Sequence, residues 1–230
     1  MIQWVRDIDS EDKLRIYQTI DNLCFVEPDF SGGFSDIYIV GNYAIKKTVY
    51  NPIDDVIDHP DAGVDDSGDP IECIVQSDKY LLNQMKDHKN FPVFYGYTGN
   101  LDPDKDCVNE DIVIMEYLSG QNLDEILSKC NSPKEKASLI SKLSGPIKKA
   151  LVDIINAGWY PVDFRFRCIY PQGEKDNFKL IDYNLYQCID YMKSHGSTID
   201  FSDPFRLASK IWESVLEYEP NKKFPYSFVV

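Results

Sequence analysis

Basic charge is what this chain has least of. Its 24 lysines and arginines face 38 aspartates and glutamates, a formal net charge of −14 at pH 7. Nucleic acids are held by basic patches, so DNA and RNA are set aside as main partners. Also missing is any apolar run near the roughly 20 residues that a membrane helix needs. Residues 1–10 are mixed and acidic, unlike a secretory signal. The expectation is a cytoplasmic chain with no membrane attachment. Its six cysteines are scattered, with no CxxC pair and no Cys/His cluster. Structural zinc is therefore not expected, and reduced, mostly buried thiols are. No internal repeat and no low-complexity tract is present.

What is there suffices for a core. Apolar residues make up 43% of 230 positions, enough for one large domain or for two lobes. Residues 11–23 place Leu14, Tyr17, Ile20 and Leu23 at helical spacing, with Ser10 as the expected N-cap. Residues 34–39 and 42–49 are rich in β-branched and aromatic side chains, and Gly41-Asn42 between them predicts a hairpin turn. Residues 51–70 hold seven aspartates among prolines and glycines and read as an exposed acidic loop. Their spacing does not match a calcium-binding EF-hand loop. A helical period returns over 71–85, followed by strands at 91–97 and 111–117.

Beyond Gly120 the pattern is helical. Asn122 is the expected cap of a helix over 123–129, and Ser132-Pro133 is a helix start with proline in its first turn. Pro146 is expected to break or kink the long segment that follows, which Gly158 ends as a C′ residue. Residues 168–170 and 178–181 read as a hairpin. A last helix starting at Ser202 or Asp203 turns Leu207, Ala208, Ile211, Trp212, Val215 and Leu216 to one face. Strands first and helices second, without βαβ alternation, predict an α+β fold. The expected division is 1–118, β-rich with the acidic loop 51–70, and 119–230, helical.

Two stretches carry chemistry. Gly32-Gly33 forms a small-residue turn before Ile37, and the strand after it holds Ala44-Ile45-Lys46. Backbone amides free of bulky side chains, with a cation close by, suit phosphates. A glycine pair alone is more often an ordinary hairpin turn. The second stretch runs from Asp163 through Arg165 to Cys168, and Asp182 follows Leu180-Ile181 at the end of a strand. A carboxylate there can hold a metal ion, and a second across the hairpin can face a hydroxyl. Aspartate is also common in plain surface turns.

In their order these parts resemble the protein kinase family over roughly residues 28–217. The resemblance implies a bilobal fold with a β-rich N-lobe and a reduced helical C-lobe lacking the last family helices. Residues 30–38 are similar to the glycine-rich loop, so Gly32, Gly33, Ile37 and Ala44 would border the nucleotide. Lys46 would meet its α and β phosphates. Residues 114–118 resemble the gatekeeper and hinge, which sets the backbone of Glu116 and Leu118 against adenine. Pro161-Val162-Asp163 stands where the family has His-Arg-Asp, and Asp182-Tyr183-Asn184 where it has Asp-Phe-Gly. The implied roles are Asp163 for orienting the acceptor hydroxyl, Arg165 for offsetting γ-phosphate charge, and Asp182 with Asn184 for the metal. Asp203 would anchor the catalytic loop. Three residues compete as the acidic or polar partner of Lys46: Glu72, which has the family's side chain and is preferred, Asp78 and Gln76.

The departures are as specific. Phe30 and Ser35 replace two loop glycines. Cys168 stands where the family has the asparagine that binds a second ion, and a thiol is a poor magnesium ligand. Only about twenty residues separate Asp182 from Asp203, with no Ala-Pro-Glu motif. The outline is similar to small bacterial-effector and viral kinases, which implies the cytoplasm of a host. The leading expectation is a minimal protein kinase that uses ATP with magnesium or manganese to phosphorylate a protein hydroxyl, serine or threonine before tyrosine. The runner-up is a pseudokinase, a nucleotide-binding or interaction module. For either, the acidic loop suggests a folded, basic protein partner.

Overall fold

The structure is a computed structural model. It describes residues 1–31, 35–48, 77–99, 101, 112–162, 164–173, 177–182, 186–194 and 196–218. These fall into two compact units, Met1–Ser119 and Gly120–Val230. The architecture is mixed α+β: a six-stranded antiparallel sheet in the first unit, mainly helices in the second.

In the first unit the elements are β1 (Gln3–Trp4), α1 (Ser10–Asp21), β2 (Phe30–Ser31), β3 (Ser35–Val40), β4 (Tyr43–Thr48), α2 (Ser77–Gln84), β5 (Phe94–Tyr97) and β6 (Ile112–Glu116). The strand order is β1-β5-β6-β4-β3-β2. The expected β3–β4 hairpin forms, with Gly41 at φ +60°, a backbone that favours glycine. Gly96 serves another purpose: a Cβ there would meet the Gln3 carbonyl oxygen at 3.0 Å, so glycine lets β1 lie close to β5 without displacing it. Pro28 has no N–H to extend β2, and Asp29 Oδ2 instead accepts from Ile39 N at 2.7 Å.

Register decides what each sheet face does. Ile37 pairs with Lys46 and Lys46 with Val113, while Ile39 pairs with Ala44 and Ala44 with Met115. Directly opposed residues share a face, so these six side chains lie on one side. The other side presents Tyr38, Val40, Ile45, Ile112 and Ile114, which pack with Ile2, Ile16 and Leu23 around α1. The cap of α1 is Asp9 rather than Ser10: its carboxylate accepts from Asp12 N at 2.8 Å. The helix at 71–85 is described only as α2, and residues 51–76 lie outside the described residues.

The second unit holds α3 (Leu123–Lys129), α4 (Pro133–Asn156), β7 (Trp159–Pro161), a 3-10 turn (Phe166–Cys168), β8 (Ile169–Pro171), β9 (Phe178–Leu180), β10 (Tyr186–Cys188), α5 (Ile189–Ser194) and α6 (Pro204–Tyr218). Asn122 and Glu125 form a reciprocal capping box on α3, and Ser132 caps α4 with Pro133 in its first turn. Pro146 does not break α4, which runs through it for 24 residues. The cost is the one hydrogen bond that Pro146 has no N–H to make, while Leu143, Ile147, Ala150, Leu151 and Ile154 are buried around it. Helix α6 packs on α4 with Leu207, Ala208, Ile211, Trp212 and Val215 buried. At about 1.5–3 kcal/mol per large apolar side chain, that stripe is enough to hold the two helices together. Strands β8 and β9 form the expected hairpin, and β10 pairs with β7. No helix among the described residues is long and apolar enough to cross a membrane.

Candidate functional site

In the first unit the site is built on β4. Alternation along the strand sends Ala44 and Lys46 to the face away from α1. Lys46 is nonetheless buried, and its Nζ lies 2.7 Å from Asp78 Oδ2 in the first turn of α2, with the two side chains only 5% and 7% exposed. Of the candidate partners, Asp78 is therefore the one found beside Lys46. Glu72 and Gln76 lie outside the described residues. Taking both charges out of water costs several kcal/mol per ion, and the pair's own attraction roughly offsets this. Such a pair adds little stability, but it fixes a cation at a defined point on a rigid sheet. Lys79 beside it is also buried, with Nζ 5.3 Å from the Tyr80 ring centroid. Sequence reasoning passed over Lys79, although a lysine inside an apolar helical period was a signal.

Strand β6 leads out through Glu116 to Leu118. Glu116 N donates to Val93 O at 2.8 Å, and Val93 N donates to Glu116 Oε2 at 3.0 Å. Tyr117 N donates to Asn42 O at 2.9 Å, tying the strand end to the β3–β4 turn. The Glu116 amide is thus spent within the unit. The half-buried Leu118 has no backbone bond among the described residues. A purine edge could therefore pair with the N–H and C=O of Leu118, but not with the N–H of Glu116. Gly32 and Gly33 lie outside the described residues.

A cavity of about 540 Å³ lies elsewhere, between α1 and the β3–β4 turn, lined by Arg15, Gln18, Asn22, Phe25, Val26 and Gly41 among others. None of the residues expected to border nucleotide lines it. The Lys46 face therefore owes its candidacy to its charges and register rather than to the volume of a described cavity.

In the second unit, Asp163 and Asn184 lie outside the described residues, and what flanks them is well defined. Phe164, Phe166 and Cys168 are buried, and Phe166 lies against Trp212 with ring centroids 5.8 Å apart. Phe166 thus ties the stretch to α6, and the 3-10 turn also packs on α3. Ile181 N donates to Cys168 O at 2.9 Å, so the thiol-bearing residue is bonded to the residue just before Asp182. Asp182 has φ +67°, and no other non-glycine residue described has a positive φ. Such a conformation costs a side-chain-bearing residue about 1–3 kcal/mol and collects at sites of function.

Arg165 is half-buried. Its Nη1 donates to Phe164 O at 3.1 Å, and the residue lines a small cavity of about 30 Å³ with Tyr160, Ile211 and Val215. It is not the solvated arginine that an exposed turn would carry. Asp203 is exposed, and its Oδ1 accepts from Arg206 N at 3.0 Å as the cap of α6. No bond from it to the 164–168 stretch is found among the described residues. Nor is any cluster of three or more His, Cys, Asp or Glu able to hold a metal found among them. For a magnesium ion the Asp182 carboxylate is a suitable hard-oxygen donor, and the buried Cys168 thiol is not.

A lysine paired with a helix carboxylate, on an antiparallel sheet whose strand leads into a hinge-like stretch, precedes a helical unit with a hairpin ending at a strained aspartate. That order is consistent with a kinase-like fold. No family model matches the chain, and no curated protein does. Among solved structures the chain is similar to a kinase, PK-1, of the Cydia pomonella granulovirus, with 13% sequence identity and a TM-score of 0.47. The match covers 76% of this chain and 60% of that one, so the chain spans less than two thirds of its length.

Proposed function

We propose that the chain is a minimal protein kinase that transfers the γ-phosphoryl group of ATP to a protein hydroxyl, serine or threonine in preference to tyrosine. The observation that carries this reading is the buried Lys46–Asp78 pair. A fold gains little stability from such a pair, and it is what a phosphate-binding cation needs to be held in place. Lys46 holds the α and β phosphates. Asp182 supplies the carboxylate for magnesium, which when bound with nucleotide neutralises phosphate charge. Asp163 orients the acceptor hydroxyl and takes its proton, and Arg165 offsets charge on the transferred group. Transfer of this kind rests on positioning and electrostatics, so a weakened metal site slows it without abolishing it.

A second reading, a nucleotide-holding module without transfer, is favoured by one observation: Cys168, 1% exposed, stands where a hard metal ligand is needed. Incubation of the purified chain with γ-labelled ATP, magnesium or manganese, and a hydroxyl-bearing protein separates the two. Transfer that falls by about a hundredfold or more in Asp163→Ala supports the kinase. Nucleotide binding that depends on Lys46 without any transfer supports the module. Nucleotide binding that ignores Lys46 removes both.

A further inference from the structure

Two exposed surfaces among the described residues are opposite in character. Among the described residues, five of the seven exposed large apolar side chains lie between residues 14 and 30: Leu14, Tyr17, Phe25, Val26 and Phe30. Phe25, 84% exposed, and Val26 rim the open cavity beside α1. The same stretch is acidic, with seven carboxylates and two basic residues over 7–30. Along α1, Glu11, Leu14, Tyr17, Gln18 and Asp21 are all exposed and share one face.

Helix α4 is its complement. Residues 133–149 carry five lysines and one glutamate, in a chain whose net charge is −14. On one exposed face Lys134, Lys142 and Lys149 alternate with Ser138, Ser141 and Gly145. No ion pair to these lysines is found among the described residues, and a Cβ on Gly145 would meet nothing within 4 Å. Small side chains leave shallow hollows where a neighbouring helix can sit, and the lysines flank them.

We propose that the exposed face of α1 in one copy of this chain docks on the lysine-bearing face of α4 in a second copy. Leu14 fills the hollows over Ser138, Ser141 and Gly145 beside Tyr17, whose hydroxyl accepts from Trp4 Nε1 at 3.1 Å, while Glu11 and Asp21 meet lysines. Glu11 and Asp21 are about 15 Å apart along α1, and Lys134 and Lys142 about 12 Å along α4, a difference that flexible lysine side chains span. A single helix pair buries less than the roughly 1,200 Å² of a standard interface, so the association is of the weak, transient class. The net charge of each copy opposes it. At 0.1 M salt, however, that repulsion is damped over about 10 Å, while charges in contact are screened much less.

Sedimentation equilibrium of the full chain reads this directly. In about 0.1 M salt the weight-average mass should rise above 26.5 kDa with concentration and return to it in high salt. A Lys134→Glu, Lys142→Glu, Lys149→Glu variant should associate at least about tenfold more weakly, as should a Glu11→Lys, Asp21→Lys variant. Mixed with each other, the two should associate again, because each then offers the other a complementary face. All substituted positions are exposed, and circular dichroism checks that both variants are folded. A chain that stays at monomer mass at every concentration overturns the proposal. So does self-association that survives the lysine reversals, or a mixture that does not associate. Binding of the lysine face to anionic vesicles without self-association would assign that face to lipid instead and overturn it equally.

Discussion

Removing the carboxylate from Asp78 tests the structural core of this reading. Asp78→Asn keeps the shape and leaves Lys46 as a buried ammonium facing a neutral amide. At 2.7 Å and an effective dielectric near 20, the gross attraction of the pair is about 6 kcal/mol. Desolvation of the two ions offsets most of this in the intact protein. With Asp78 neutralised, Lys46 keeps its desolvation cost and loses the attraction of this carboxylate, a loss of about 3–5 kcal/mol. Lys46→Met should cost a similar amount for the mirrored reason. The double variant Lys46→Met, Asp78→Leu removes both charges of the pair, and it should lie within about 2 kcal/mol of the wild type or above it. Urea unfolding of the wild type, Lys46→Met, Asp78→Leu and the double variant closes a double-mutant cycle with a large coupling energy. Calorimetric titration with ATP separates stability from function: the double variant should be folded and yet bind nucleotide at least about tenfold more weakly. If Asp78→Asn costs under about 1 kcal/mol, the pair is not buried as described. If the stable double variant binds ATP as the wild type does, Lys46 is not the phosphate cation.

Three further outcomes are expected. Cys168→Asn should shift metal preference from manganese towards magnesium and raise magnesium-dependent turnover by about tenfold, measured by steady-state transfer in each metal; no change in either would show that the thiol limits nothing. Burial, and then the hydrogen bond it donates to Asp12, push the Tyr43 hydroxyl up to about 12 from a reference value of 10.0. Its folded value is the higher, so its contribution is fully present below pH 10 and is lost as pH rises towards 12. The stability difference between wild type and Tyr43→Phe in urea should shrink across that window and be constant below it. Asp9→Ala should cost about 1 kcal/mol by removing the cap of α1, and Ser10→Ala should cost far less, as read from urea midpoints.

Local chemistry made most elements legible. The caps at Asn122 and Ser132, the Gly41 turn and the Gly158 stop are residues whose own φ preference or side-chain oxygen dictates the outcome. Where two neighbours offered the same chemistry, as Asp9 and Ser10 did, sequence could not choose between them. The short strands β1 and β10 were not legible: two or three residues carry no periodicity, and pairing with β5 and β7 creates them. Pro146 does not end the helix because the burial of Ile147, Leu151 and Ile154 along α4 outweighs one missing bond, which a purely local rule for proline leaves out. The candidate site divided in the same way. Lys46 was legible from the strand pattern. Its pairing with Asp78, one of three candidates, stays open, because the sequence distance from β4 to α2 spans the acidic stretch and fixes no register between them.

Cys168 and Asp182 pull the functional reading in opposite directions, and the backbone bond between Ile181 and Cys168 makes them one local problem. An aspartate held at φ +67° is costly and needs a reason. If the region only filled the core, glycine or asparagine at 182 would relieve the strain and stabilise the chain. If the carboxylate serves a metal, the strain offsets nothing in stability and is kept for its position. Asp182→Gly therefore distinguishes the two: it should raise stability to urea, by about 1 kcal/mol or more, while abolishing metal-dependent nucleotide binding. Stabilisation with unchanged metal-dependent binding would mean that Asp182 is strained for packing alone, and the case for transfer would then rest on Lys46 without support from the second unit.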